Sequence, residues 1–138
     1  MERTNIRFVT HDTINVYLDF VSIDVSFISL KLVLPVAFNL LNPNGHVICL
    51  IKPQFEAGRG KVGKNGVIKD KSVHCEVIEK VQSFAQSIGF SVLGIDFSPV
   101  KGPKGNIEYL IHLEKSDANL SNDINISAIV DTAHIEAH

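Results

Sequence analysis

Three charged residues stand where apolar segments end or begin: Asp24, Lys52 and Glu108. Ending a buried strand on an ion is costly unless the ion faces a cleft or meets a partner. Asp24 closes the apolar run 18–25, and Lys52 follows the run His46-Val47-Ile48-Cys49-Leu50-Ile51. Glu108 sits near the start of a last strand expected over 107–114. In open α/β sheets, ligands bind beyond the carboxyl ends of the parallel strands. If the last strand runs antiparallel, its start shares that edge, and two carboxylates and one amine converge on one rim. Groups of these types can take up and hand on a proton. Taken singly, each also reads as a strand-end charge satisfied by a loop partner.

A second chemical feature is basic. The segment 52–71 carries Lys52, Arg59, Lys61, Lys64, Lys69 and Lys71 against Glu56 and Asp70, and the later turn adds Lys101 and Lys104. Eight of the thirteen basic residues thus fall in two loops of a chain whose net charge is −2. Gly58, Gly60, Gly63 and Gly66 let the first loop mould to a ligand. Contact with nucleic-acid phosphates is the functional reading for Arg59, Lys61, Lys64, Lys69, Lys101 and Lys104. A solvated, flexible loop is the plain alternative. Gly58-Arg59-Gly60-Lys61 has neither the spacing nor the placement of a Walker or dinucleotide-binding loop.

The elements that must position these residues follow from hydrophobic period. Runs 18–25 and 46–51 are apolar on both faces, as buried parallel strands are. Between them a helix is expected from Ser29 to Leu41, with Pro35 kinking it or marking its true start, and Asn42-Pro43-Asn44-Gly45 as a stop. Val73, Val77, Val81, Phe84 and Ile88 form one stripe, predicting a helix over 72–88 capped by Asp70 or Ser72 and stopped by Gly89. Strands are expected over 90–97 and 107–114. With no helix between them, they pair antiparallel. From Ser116 the chain turns polar, and Ile126, Ile129, Val130 and Ala133 have the spacing of a short docking helix. The order is β-α-β-loop-α-β-β with a terminal helix. The class is α/β, with a mostly parallel sheet and a C-terminal antiparallel strand pair.

Composition narrows the function. The 138 residues suffice for one core, and a pI near 6.3 confines any nucleic-acid contact to a local patch. Cys49 and Cys75 lie in apolar patterns without a CxxC pair, which suits a reduced, cytoplasmic protein. No apolar run approaches a membrane span, and the N-terminus lacks the apolar core of a signal peptide. His134 and His138 are four apart without the glutamate of a zincin helix, so no metal is expected, and no Gly-x-Ser-x-Gly elbow occurs. Glu2-Arg3-Thr4-Asn5 leads straight into Ile6-Arg7-Phe8-Val9, an abrupt opening that suggests a fragment or an internal start.

Three segments carry a resemblance: Ile23-Asp24-Val25-Ser26-Phe27-Ile28-Ser29-Leu30, Lys52-Pro53-Gln54-Phe55-Glu56-Ala57-Gly58-Arg59, and Gly102-Pro103-Lys104-Gly105-Asn106-Ile107-Glu108-Tyr109. In this order they resemble the TlyA (haemolysin-A) branch of FtsJ-like rRNA methyltransferases, over nearly the whole chain to about Lys115. The resemblance implies a partial Rossmann-like, S-adenosylmethionine (SAM)-dependent methyltransferase fold over 1–115, with 116–138 as a polar tail bearing a short helix. It implies a Lys-Asp-Lys-Glu catalytic tetrad, of which Asp24, Lys52 and Glu108 match the aspartate, second lysine and glutamate. It also implies SAM as cofactor and the ribose 2′-hydroxyl of ribosomal RNA, alone or in a ribosomal subunit, as acceptor. Lys52 is then the candidate base, because desolvation helps an amine shed its proton, and Asp24 and Glu108 orient it and the ribose.

The tetrad's first lysine, the glycine-rich turn that binds SAM and the acid that holds the cofactor ribose have no counterpart here, nor does the family's small N-terminal RNA-binding module. The resemblance places the fourth to seventh strands of a seven-stranded sheet in this chain. It thus implies that the isolated chain holds SAM weakly or not at all and is inactive, and that an exposed sheet edge favours self-association. A non-catalytic RNA-binding or assembly fragment is the alternative. A membrane-active haemolysin finds no spanning or strongly amphipathic segment to support it.

Overall fold

The computed structural model describes residues 18–24, 30–56, 70–102, 105–116 and 124–136. Strand β1 (Leu18–Ile23) is followed by helix α1 (Leu30–Leu40) and strand β2 (Leu41–Ile51). β1 and β2 are parallel, with Val21 opposite Val47 and Ile23 opposite Cys49. Parallel neighbours need such a crossover. α1 runs through Pro35 instead of starting there. Lys115 closes its far end: Nζ donates to the carbonyls of Phe38 at 2.7 Å and Leu41 at 3.0 Å.

After β2 a single helical turn, α2 (Pro53–Glu56), forms where the sequence pattern suggests loop. Pro53 occupies its first position, where the missing N–H would have had no helical partner. Helix α3 (Lys71–Ser87) starts at Asp70, whose carboxylate accepts the Ser72 N–H at 2.9 Å. It stops at Gly89, whose φ of +114° suits glycine and whose missing β-carbon leaves room for the Phe38 ring. Strands β3 (Phe90–Phe97) and β4 (Tyr109–Lys115) follow, then helix α4 (Ile126–Glu136), which buries Ile126, Val130 and Ala133.

The sheet order is β1-β2-β4-β3. β4 pairs antiparallel with both β2 and β3. The expected antiparallel β3–β4 pair is present, but the expectation of a mostly parallel sheet is corrected: one of the three pairings is parallel. The reason lies in the short connection after β3, which forces β4 to run back. It does so between β2 and β3, turning a would-be parallel contact into two antiparallel ones.

Side chains alternate across the sheet. Val47, Cys49 and Ile51 of β2 and Tyr109, Ile111 and Leu113 of β4 join Leu34, Val77 and Ile78 of the helices in one core. Each such aliphatic side chain stabilises the fold by about 1.5–3 kcal/mol when fully buried. This packing fixes the register, and the register fixes the site. Ile51 pairs with Tyr109, so Lys52 and Glu108 lie one step further along the same edge, beside the end of β1.

Candidate active site

At that edge Lys52 Nζ lies 2.6 Å from Asp24 Oδ1. The partners are unequal: the Lys52 side chain is 10% exposed and that of Asp24 64%. The amine is sunk into the sheet edge while its carboxylate partner opens to solvent. Water screens such a pair, so its importance is geometric rather than energetic.

Glu108 is buried, and Oε2 accepts a hydrogen bond from Gln54 Nε2 at 2.8 Å. Gly102 lies against the same carboxylate, where a β-carbon would overlap it. The turn between β3 and β4 is built to bring Gly102 there. Its N–H donates to the Asn106 carbonyl at 2.8 Å, and Gly105, at φ +81°, donates to the Gly102 carbonyl at 3.2 Å. The Glu108 carbonyl in turn accepts the Ser98 N–H at 2.8 Å.

Residues 52–56 therefore tie three elements together. Lys52 reaches the end of β1, Gln54 reaches the approach to β4, and Glu56 Oε2 accepts the Leu30 N–H at 2.9 Å. A carboxylate at a helix N-terminus also meets the positive end of the helix dipole. One atom is left over: Gln54 Oε1 is buried with no partner among the described residues. Such an acceptor costs about 1–3 kcal/mol.

The structure thus brings Asp24, Lys52 and Glu108 to one rim. Lys101 is exposed and adjoins Gly102 at the wall of that rim. Arg59, Lys61, Lys64, Lys69 and Lys104 lie outside the described residues. Sequence reasoning missed Gln54 and Glu56. A proline opening a short polar stretch that ends in an acid was the available signal for a helical turn there.

Other reactive groups do not join the rim. Cys49 is in the core, where burial pushes its thiol far up and leaves it unreactive. No group of three or more metal-ligating residues occurs among the described residues. His46 Nδ1 and His112 Nε2 are 2.8 Å apart, further back along β2 and β4 from the rim. A groove of about 110 Å³ between α1 and α3 is lined by Leu30, Leu34, Val77, Val81 and Phe84, and carries none of the three rim residues. A paired amine and carboxylate on an open edge, with a second carboxylate at the same rim, can hold a hydroxyl and pass its proton among them.

Comparison with known proteins bears on this arrangement. The pattern of the family described as FtsJ-like methyltransferase matches residues 1–115. YqxC of Bacillus subtilis, provisionally named an rRNA methyltransferase, is 44% identical over 139 residues, covering 97% of this chain and 50% of its own length. The Mycobacterium tuberculosis 16S/23S rRNA (cytidine-2′-O)-methyltransferase TlyA is 39% identical over 122 residues, covering 88% and 46%. The solved structure of a provisionally named hemolysin from Streptococcus thermophilus superposes with a TM-score of 0.86 at 48% identity, covering 96% of this chain and 49% of that one. The chain spans about half the length of the curated relatives it matches. No helix among the described residues is long and apolar enough to cross a membrane.

Proposed function

Because the chain belongs to the FtsJ-like methyltransferase family, we propose that it is the acceptor-side half of an rRNA 2′-O-methyltransferase. The single observation that carries the reading is the rim itself. Lys52 and Asp24 are bonded at 2.6 Å beside a fixed Glu108, at the sheet edge where α/β enzymes bind their ligands.

A 2′-hydroxyl must lose its proton as its oxygen attacks a methyl carbon. Lys52 takes that proton in the form that has first given up its own, and the buried position of its amine keeps water from competing for it. Asp24 aims the amine. Glu108, set against the Gly102 turn, presents a second acceptor at the same rim. Arg59, Lys61, Lys64, Lys69, Lys101 and Lys104 steer and hold the RNA backbone. A ribosomal substrate places the protein in the cytoplasm.

SAM supplies the methyl group. The described residues do not fit its cradle, however. Among the described glycines none sits in a strand-to-helix turn, and beyond β2 the space is taken by the buried side chains of Pro53 and Gln54. The described residues thus hold no complete SAM site, and we read the isolated chain as inactive. With β1 paired on one side only among the described residues, the isolated chain also self-associates through that edge.

The test is to incubate the complete protein with labelled SAM and ribosomal subunits and to map the product. Label in a 2′-O-methylated nucleoside supports the reading. RNA binding without transfer supports a non-catalytic assembly role instead.

A further inference from the structure

Gln54 is the one side chain of the rim that the proton-transfer scheme leaves without a role. Its amide nitrogen donates to Glu108 Oε2 at 2.8 Å, and both residues are buried. The amide presents its NH₂ to Glu108 Oε2 and turns Oε1 away from it. Oε1 is then buried without a donor among the described residues. The amide is held in the orientation that serves Glu108, with its own carbonyl left without a donor among the described residues. Gly102 lies against the same Oε2 that Gln54 holds, where a β-carbon would overlap it, so a donor and a close backbone together confine that oxygen. Only Pro53, with its fixed φ, separates Gln54 from Lys52, so the lysine and the glutamine cannot shift independently.

We propose that Gln54 is a positioning residue for methyl transfer. It holds the Glu108 carboxylate as an oriented acceptor beside Lys52, and it couples that carboxylate to the lysine through the rigid Lys52-Pro53-Gln54 turn. The proposal rests on the methyltransferase reading above and adds a residue to its machinery.

The experiment uses the complete protein with SAM and ribosomal subunits, comparing wild type with Gln54→Met and Gln54→Glu. Gln54→Met keeps the length and apolar bulk but removes the donor. Its kcat is expected to fall by about tenfold to hundredfold, while KM for SAM is unchanged. Gln54→Glu sets a second carboxyl against Glu108, and such a pair holds one shared proton only on the acid side. With the proton shared, an O–H donates where the amide did. The ratio of variant to wild-type kcat is therefore expected to rise as pH is lowered from about 9 to about 6. Melting temperatures recorded at each pH separate this from a simple loss of fold. Wild-type kcat in Gln54→Met, or a flat ratio in Gln54→Glu, overturns the proposal. So does a loss of activity that merely tracks the melting temperature. If the wild type transfers no methyl group, the proposed function fails and this inference falls with it. An active wild type with indifferent variants sinks this inference alone.

Discussion

Gly102 and Glu108 are in such close contact that the glycine's missing β-carbon defines the space the carboxylate occupies. The carboxylate cannot easily yield, because Gln54 holds the same oxygen in a hydrogen bond. Gly102→Ala should therefore push Glu108 out of place or open the β3–β4 turn. Overpacking of this kind costs about 1–3 kcal/mol. Urea unfolding of the two proteins should show a lower midpoint with an unchanged slope; an unchanged midpoint would mean the contact is not confining.

The His46–His112 pair predicts a pH dependence of stability near neutrality. Burial, and next the charge of His46, hold the His112 imidazole below its ordinary value, with Glu114 opposing. The folded protein thus binds that proton less readily than the unfolded chain. Stability from His112 is fully present above the unfolded pKa of about 6.5 and is lost as pH falls through the window below it. Thermal melts from pH about 7.5 down to about 5.5 should show a falling melting temperature, and His112→Gln should flatten that slope. A variant slope equal to that of the wild type would contradict the assignment. Asp70, held low by its Ser72 hydrogen bonds, acts only in a lower, carboxylate window.

Much of this architecture is legible in the sequence, and the exceptions have physical causes. The apolar runs ending at Asp24 and Lys52 mark strand ends because a charge there has nowhere to go but the edge. The Val73–Val81 stripe marks α3 for the same hydrophobic reason. The insertion of β4 between β2 and β3 is not visible, because strand order depends on long-range pairing that no local period encodes. Gln54 and Glu56 are missed because their partners, Glu108 and the Leu30 N–H, are remote in sequence. The α2 turn is hidden by its length, too short for a hydrophobic period.

SAM binding separates the chain's own capacity from that of its family. Calorimetric titration of SAM into the 138-residue chain should give no heat of binding in the micromolar range. Micromolar affinity would show that a cofactor cradle exists within these residues after all.

The state of β1 offers an independent check. Its pairing on one side only, among the described residues, leaves a row of backbone donors and acceptors open to another strand. Light scattering after size exclusion should give a mass above that of a monomer, rising with concentration. A monomer that melts in one sharp, cooperative step would contradict this.

The central claim is that Lys52, aimed by Asp24, receives the 2′-hydroxyl proton. Asp24 is largely solvent-exposed and the buried Glu108 keeps its Gln54 donor, so the fold should tolerate loss of the lysine. The direct measurement is methyl transfer to ribosomal subunits by the complete protein carrying Lys52→Ala. A fall in kcat of about 10²–10⁴-fold is predicted, with the melting temperature and RNA binding retained. Methyl transfer at the wild-type rate in that variant would contradict the account.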